Sequence, residues 1–111
     1  MTQGIAESDW RRFRKLHPVA LERFCQQILN EIERVNADDS LSFHRRYLDI
    51  YKIIERRDKE LAESFNDLRR STALMQIVSI YGRGLLTETE LSGFSQEVVS
   101  VVTSLIKRRH T

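Results

Sequence analysis

In the stretch LERFCQQILNEIERV, residues 21–35, apolar side chains recur every three or four residues. This spacing places on one face of an α-helix Leu21, Cys25, Ile28, Ile32 and Val35. Pro18 suits the first position of that helix, because a proline there loses no hydrogen bond. The polar run NADDS, residues 36–40, is rich in cap and turn residues and predicts the end of the helix.

A second apolar stripe follows this turn at the same helical period. It consists of Phe43, Tyr47, Ile50, Ile54, Leu61, Phe65 and Leu68. An unbroken helix from Phe43 to Tyr81 would be about 60 Å long. A compact domain of this size has a radius of gyration of about 13 Å, so the chain must turn back. We expect the break at the good cap residues Asn66 and Asp67, and Asp58 is the alternative position.

Two further helix boundaries carry specific signals. Gly82-Arg83-Gly84 predicts the end of a third helix, because glycine adopts the left-handed conformation common at helix C-termini. Thr87-Glu88-Thr89-Glu90 has the pattern of a capping box and predicts the start of a fourth helix. That helix would run to the basic end at residues 107–109, and Gly93 is the point where it would bend.

Together these elements predict an all-α fold with one domain over residues 1–111. The expected architecture is an antiparallel bundle of four long helices joined by short connections. A short N-terminal helix over residues 8–15, with Ser8 as its cap, would cover one end of the bundle. Residues 1–7 are expected to be disordered.

The composition excludes several classes of protein. Of 111 residues, 41% are hydrophobic and 31% charged, which excludes collagen-like, low-complexity and mostly disordered chains. The net charge of +2 is too weak to indicate a nucleic-acid partner by itself. A single cysteine cannot form an internal disulfide, which favours a reducing compartment and a cytoplasmic location. The longest uncharged apolar run near the C-terminus, residues 98–106, has nine residues against the ~20 that a transmembrane helix needs.

No pattern in the sequence predicts catalysis, a metal site or a cofactor. Cys25 lies on the apolar stripe, and His17 is more than two helical turns away from it, so the two cannot form a catalytic pair within one helix. The spacings typical of zinc and di-iron sites are absent from the sequence. A small all-helical enzyme of the chorismate mutase type stays open as an alternative, by analogy of fold and arginine content alone.

Doubled arginines are the most distinctive feature of the chain. The candidates for an interaction surface are Arg45, Arg46, Arg56, Arg57, Arg69 and Arg70. The first two pairs are eleven residues apart and would share a helix face that could bind phosphates, so nucleic-acid binding is an alternative function. Acidic residues are interleaved among these arginines, and they favour a solvated surface of ion pairs instead.

Large apolar residues that lie off the main stripes favour a protein–protein interaction module. A helix that is apolar over more than one stripe is buried on two sides, either deep in its own bundle or against a partner. Phe24, Tyr51 and Ile80 are the candidates among the off-stripe residues, which are Phe24, Leu29, Leu48, Tyr51, Ile80 and Ile106. A homodimer is the simplest partner hypothesis, since two-fold dimers are the commonest oligomers. Trp10 stands among cations, as in membrane-surface helices, but it would more simply cover the end of the core.

The chain also resembles short, uncharacterised bacterial all-helical proteins. The resemblance is carried by Arg57-Asp58, Phe65, the runs RRSTA (69–73) and GLLT (84–87), His17-Pro18, Leu21 and Phe24-Cys25. It covers most of the chain and implies a helical fold and a bacterial, cytosolic origin. None of its motifs is catalytic, so the resemblance implies no activity.

Overall fold

The structure is a computed structural model that describes residues 4–110, with side chains as far as Arg108. Within this range it has five α-helices and no β-strand, which confirms the all-α prediction. The helices are α1 (Glu7–Asn36), α2 (Phe43–Phe65), α3 (Ala73–Gly82), α4 (Glu88–Ser92) and α5 (Gln96–His110). None of them is long and apolar enough to span a membrane. Only α1 and α2 are long, and the bundle of four long helices is not confirmed.

The start of the chain differs from the prediction in two ways. The separate helix over residues 8–15 and the helix expected from Pro18 form one continuous helix, with Pro18 inside it. An interior proline costs about 3 kcal/mol, but Phe13 and Ala20 on either side of it are fully buried and hold the helix together. Residues 4–7 are ordered: Ile5 is buried, and its carbonyl accepts a hydrogen bond of 2.6 Å from Arg70 Nε. Residues 1–3, also predicted to be disordered, lie outside the described residues.

The turn after α2 lies at the preferred position. The helix ends at Phe65 with Asn66 as its C-cap, so Asp58 lies inside α2. Asp67 adopts a φ of 59°, a left-handed conformation that aspartate tolerates better than most residues. The Thr72 hydroxyl donates to the carbonyls of Asp67 and Arg69, and these bonds close the turn.

Both predicted signals around residues 82–90 are confirmed. Gly84 has a φ of 76°, and its N–H donates to the Tyr81 carbonyl while Leu85 N–H donates to the Ile80 carbonyl, which is a Schellman motif. In the capping box, the Thr87 hydroxyl accepts from Glu90 N–H at 3.0 Å and the Glu90 carboxylate accepts from Thr87 N–H at 2.8 Å. The boundaries of α3 and α4 therefore follow from local sequence.

The prediction of a single fourth helix was wrong, because the helix is interrupted at Gly93 and forms two helices, α4 and α5. Arg12 donates from Nε and Nη2 to the Glu90 carbonyl at 3.2 and 2.8 Å, near the end of α4. A Cβ at position 93 would overlap the Arg12 guanidinium. The Asp9 carboxylate then accepts from Ser95 N–H at 2.8 Å and so caps the start of α5. Two side chains from α1 thus fix the break.

The hydrophobic core occupies one end of an elongated molecule. The principal extents are 55 × 28 × 21 Å, and the radius of gyration is 16.7 Å, above the ~13 Å of a compact domain this size. The buried core includes Phe13, Phe24, Phe65, Ile77, Ile80, Leu85, Phe94 and Val102. No residue from 25 to 52 is buried. We call the pair of antiparallel helix segments over residues 25–54 the hairpin arm, and the rest of the molecule the body.

Candidate interaction surface

The hairpin arm exposes a row of large apolar side chains on α2. Phe43 is 83% exposed, Tyr47 66%, Tyr51 58% and Ile54 50%. Steps of four, four and three residues place these side chains along one face of the helix. The same stripe continues into the body, where Phe65 is buried in the core. One apolar stripe is therefore covered in its second half and uncovered in its first.

The α1 half of the arm adds apolar groups on the same side. Glu31 forms ion pairs with Arg56 and Arg57, which marks one side of the α1–α2 pair. At 100° per residue, Leu29 lies about 160° around α1 from Glu31, and Tyr47 lies about 180° around α2 from Arg56. Leu29 is 58% exposed. We call the side of the arm that carries Leu29, Phe43, Tyr47, Tyr51 and Ile54 the arm face.

The end of α3 contacts the side of the α1–α2 pair that carries Glu31 and Glu60. Arg83, just after α3, donates to Ser64 Oγ at 3.0 Å and to Glu60 Oε1 at 3.3 Å. The same Glu60 oxygen accepts from Arg57 at 2.6 Å, and Arg57 also pairs with Glu31. Glu31, Arg57, Glu60 and Arg83 thus form one connected row of charges that links the end of α3 to α2 and α1. At 100° per residue, Glu60 lies about 140° around α2 from Tyr47, so Arg83 contacts α2 on a side away from Tyr47.

Polar contacts fix the tip of the arm. Asp38 accepts hydrogen bonds from the Ser40 hydroxyl at 2.6 Å and the Ser40 N–H at 3.0 Å, and these bonds lower the pKa of the Asp38 carboxyl. Arg46 donates to the carbonyls of Leu41 and Asn36, both at 3.1 Å, and so joins α2 to the end of α1. The Arg46 guanidinium also lies 5.0 Å from the Phe43 ring centroid. The arm face is therefore held on a fixed turn.

Each of the six candidate arginines contacts a carboxylate of the chain. On α2, Arg45 pairs with Asp49 at 3.1 Å and Arg46 with Asp39 at 3.6 Å. The other ion pairs are Arg56 with Glu31, Arg57 with Glu31 and Glu60, Arg69 with Asp67, and Arg70 with Glu7. A phosphate would have to compete with these carboxylates. This arrangement favours the solvated ion-pair interpretation over a basic face for nucleic acid.

The apolar candidates divide between the core and the surface. Phe24 and Ile80 are fully buried and complete the core of the body, which corrects their placement on a contact surface. Trp10 is half-buried against the core, with the Arg14 guanidinium 5.3 Å from its ring centroid, so it covers the core and is not part of the arm face. Tyr51 alone among the apolar candidates lies on the arm face.

Sequence reasoning missed Phe43, Tyr47 and Ile54, which it assigned to the core of the bundle. Periodicity identifies the apolar side of a helix but does not show which part of that side is covered. Helix length was the available signal. The segment between the turn at Asn66 and Gly82 could form only a short helix, which is too short to cover all of α1 and α2.

A cavity of about 590 Å³ lies in the body, near the start of α1 and the start of α5. Its lining includes Arg70, Asp9 and Glu97 beside apolar residues such as Leu74 and Val98. Both Asp9 carboxylate oxygens accept hydrogen bonds from Ser95, and Arg70 is bonded to the Ile5 carbonyl. An enzyme of the chorismate mutase type needs a pocket lined by several arginines, and this lining does not favour one.

One polar cluster holds α4 to α1. The Arg23 guanidinium donates from Nη1 and Nη2 to the Glu90 carboxylate at 2.7 and 3.0 Å. This hydrogen bonding, and the bond from Thr87 N–H, lower the pKa of Glu90 to about 2 against the opposing effect of burial. The same contact raises the pKa of Arg23. Among the described residues no group of three or more His, Cys, Asp or Glu side chains could hold a metal ion.

Comparison with known proteins adds no family to this description. A scan against protein-family models, a search of curated proteins and a search of solved structures found no match to the chain. The arm face and the charges around it are therefore the features that bear on function.

Proposed function

We propose that this protein is a non-enzymatic protein–protein interaction module and that the arm face is its binding surface. The observation that carries the proposal is the contiguous exposure of Phe43, Tyr47, Tyr51 and Ile54. Single exposed apolar residues are ordinary on protein surfaces, whereas contiguous patches typically mark binding sites. Tyrosine, present twice on the arm face, is also among the residue types enriched at binding hot spots.

The exposed area is large enough to drive binding. At about 150–250 Å² for a complete aromatic side chain, the exposed fractions of Phe43, Tyr47 and Tyr51 amount to roughly 400 Å². At about 25 cal/mol per Å², covering this area contributes roughly 10 kcal/mol before the entropic cost of association is subtracted. An interface that keeps only part of this gain still reaches useful affinity.

The shape of the arm face indicates the binding mode. Two antiparallel helices form a shallow groove along their seam, and such grooves bind the apolar side of another helix. The turn at Asp38 and the contacts of Arg46 hold the surface in place, so little ordering is needed on binding. The lone cysteine and the resemblance to bacterial helical proteins support a bacterial cytoplasmic location for this module.

Site-specific photo-crosslinking tests the proposal without knowledge of the partner. A benzophenone amino acid is placed at position 47 on the arm face and, as a matched control, at position 52. Lys52 is exposed on the same helix but about 140° further around its axis. After irradiation in bacterial cells, we expect discrete protein adducts from position 47 and none from position 52. Equal adducts at both positions, or none at position 47, contradict the proposed function.

A further inference from the structure

We infer that the arm face binds a second copy of this chain, so that two hairpin arms form an intermolecular four-helix bundle. The inference rests on the proposed function, because it requires that the arm face binds protein. It adds the identity of the partner, the symmetry of the complex and its stoichiometry. The two arms pack face to face about a two-fold axis.

A stable dimer needs a minimum buried area. With Leu29 and Ile54 added to the three aromatic residues, each copy exposes roughly 550 Å² of apolar side chain on the arm face. Two copies together bury about 1,100 Å², which exceeds the ~1,000 Å² that a specific protein–protein interface needs. A single amphipathic helix in the groove would cover only part of each arm face. A second arm covers the whole width, because it has the same two helices.

The arm is half of a bundle. A four-helix bundle needs two pairs of antiparallel helices of similar length, each apolar on its inner side. The arm is one such pair, because its segments of α1 and α2, residues 25–36 and 43–54, are equal in length. The shorter α3 packs against α5 in the body and buries no residue between positions 25 and 52 of either segment. A second copy supplies the missing pair at matching length.

Access to the arm face and closure of the complex also favour a second copy. The contact of Arg83 with Glu60 places the end of α3 about 140° around α2 from Tyr47, so this part of the body does not obstruct an approach to the arm face. A face that pairs with its own copy is isologous, and the complex closes at two chains. This explains how the chain can expose aromatic residues without a surface left over for open-ended aggregation.

Sedimentation velocity and light scattering over 1–200 µM test the inference directly. We expect the wild-type chain to have twice the 13.1 kDa chain mass at high concentration and to dissociate on dilution. The double variant Tyr47→Gln, Ile54→Gln should weaken the dimer at least tenfold. Met75→Gln is the matched control, because Met75 is 57% exposed on α3 and lies off the arm face. Helicity by circular dichroism checks that each variant is folded.

The outcomes separate this inference from the proposed function. A dimer that the double variant weakens and the control preserves supports both. The second-copy inference is overturned if the wild-type chain is monomeric up to 200 µM and the crosslinked adducts from position 47 have a mass other than twice that of the chain. In that case the proposed function still stands. A dimer that is unchanged in the folded double variant overturns the inference, because another surface must then form it. If, in addition, the benzophenone at position 47 gives no crosslinked adducts, the proposed function is contradicted together with the second-copy inference.

Discussion

Replacement of Glu90 by glutamine should destabilise the protein by about 1–2 kcal/mol at neutral pH. The Glu90 carboxylate accepts two hydrogen bonds from Arg23 and one from Thr87 N–H, and it joins α4 to α1. Glutamine is nearly isosteric and keeps one acceptor oxygen for Thr87 N–H. It removes the negative charge and leaves Arg23 without its carboxylate partner. The substitution therefore tests the charged contact with little change in packing.

The magnitude follows from the pKa of Glu90, which hydrogen bonding from Arg23 lowers from its ordinary 4.5 to about 2. At 1.36 kcal/mol per pKa unit, a fully shielded carboxylate would contribute about 3 kcal/mol. The side chains of Arg23 and Glu90 are 36% and 22% exposed, so solvent screening reduces this contribution. About 1–2 kcal/mol remains for the charged contact.

The pH dependence has a definite sign. The pKa of Glu90 is lower in the folded chain than in the unfolded chain, so the unfolded state binds the proton more readily. The contribution is complete above pH 4.5 and is lost as the pH falls towards 2. The difference in free energy of unfolding between wild type and Glu90→Gln should thus be constant from pH 5 to 7 and shrink steadily from pH 4.5 to 2.5.

Urea unfolding followed by circular dichroism at pH 7, 5, 4 and 3 measures this difference. Glu88→Gln is the matched control, because Glu88 is an exposed acid in the same first turn of α4. We expect that control to change the free energy of unfolding by less than about 0.5 kcal/mol. If Glu90→Gln equals Glu88→Gln at pH 7, or if its effect is the same at pH 3 as at pH 7, the reasoning is refuted.

Two further stability predictions follow from α1 and use the same unfolding assay. Asp9→Ala should lower the free energy of unfolding by about 2–3 kcal/mol, because the buried Asp9 carboxylate caps α5 through its two hydrogen bonds with Ser95. Ser8→Ala, on the exposed side of α1, is the control and should have little effect. Equal effects of the two variants would contradict the capping role. Pro18→Ala should raise the free energy of unfolding by about 1–2 kcal/mol, because an alanine N–H restores the hydrogen bond to the Arg14 carbonyl. A lower free energy of unfolding would show instead that the proline conformation is required.

Helix boundaries were predictable where residues close in sequence determine them. The capping box of Thr87 and Glu90 and the left-handed Gly84 each satisfy backbone groups within a few residues. The end of α2 at Asn66 is likewise a boundary that residues close in sequence determine. Such signals need no knowledge of the rest of the fold, and all three are confirmed.

Boundaries that depend on distant contacts were not predictable. Pro18 is a strong local signal for a helix start, but burial of Phe13 and Ala20 continues the helix through it. The break at Gly93 depends on Arg12, which donates hydrogen bonds to the Glu90 carbonyl although the two residues are 78 positions apart in the sequence. No local pattern identifies that pairing. Tertiary contacts override the local preference in both cases.

The candidate site was predictable in part. Interleaved acids correctly indicated that the doubled arginines form ion pairs, as Arg45 does with Asp49 and Arg57 with Glu60. Tyr51 was identified through its place off the main stripe, and it is exposed. The other arm-face residues of α2, Phe43, Tyr47 and Ile54, lie on the main stripe itself, where periodicity gives the same pattern for a covered and an uncovered segment.

The continuity of α1 links the stability of the body to the orientation of the arm face. A single helix carries Phe13 and Phe24 into the core and then presents Leu29 on the arm. Because a helix transmits rotation along its axis, the packing of Phe24 against Phe65, with ring centroids 5.7 Å apart, sets the direction in which Leu29 points. The packing of the body therefore sets the orientation of the proposed binding surface.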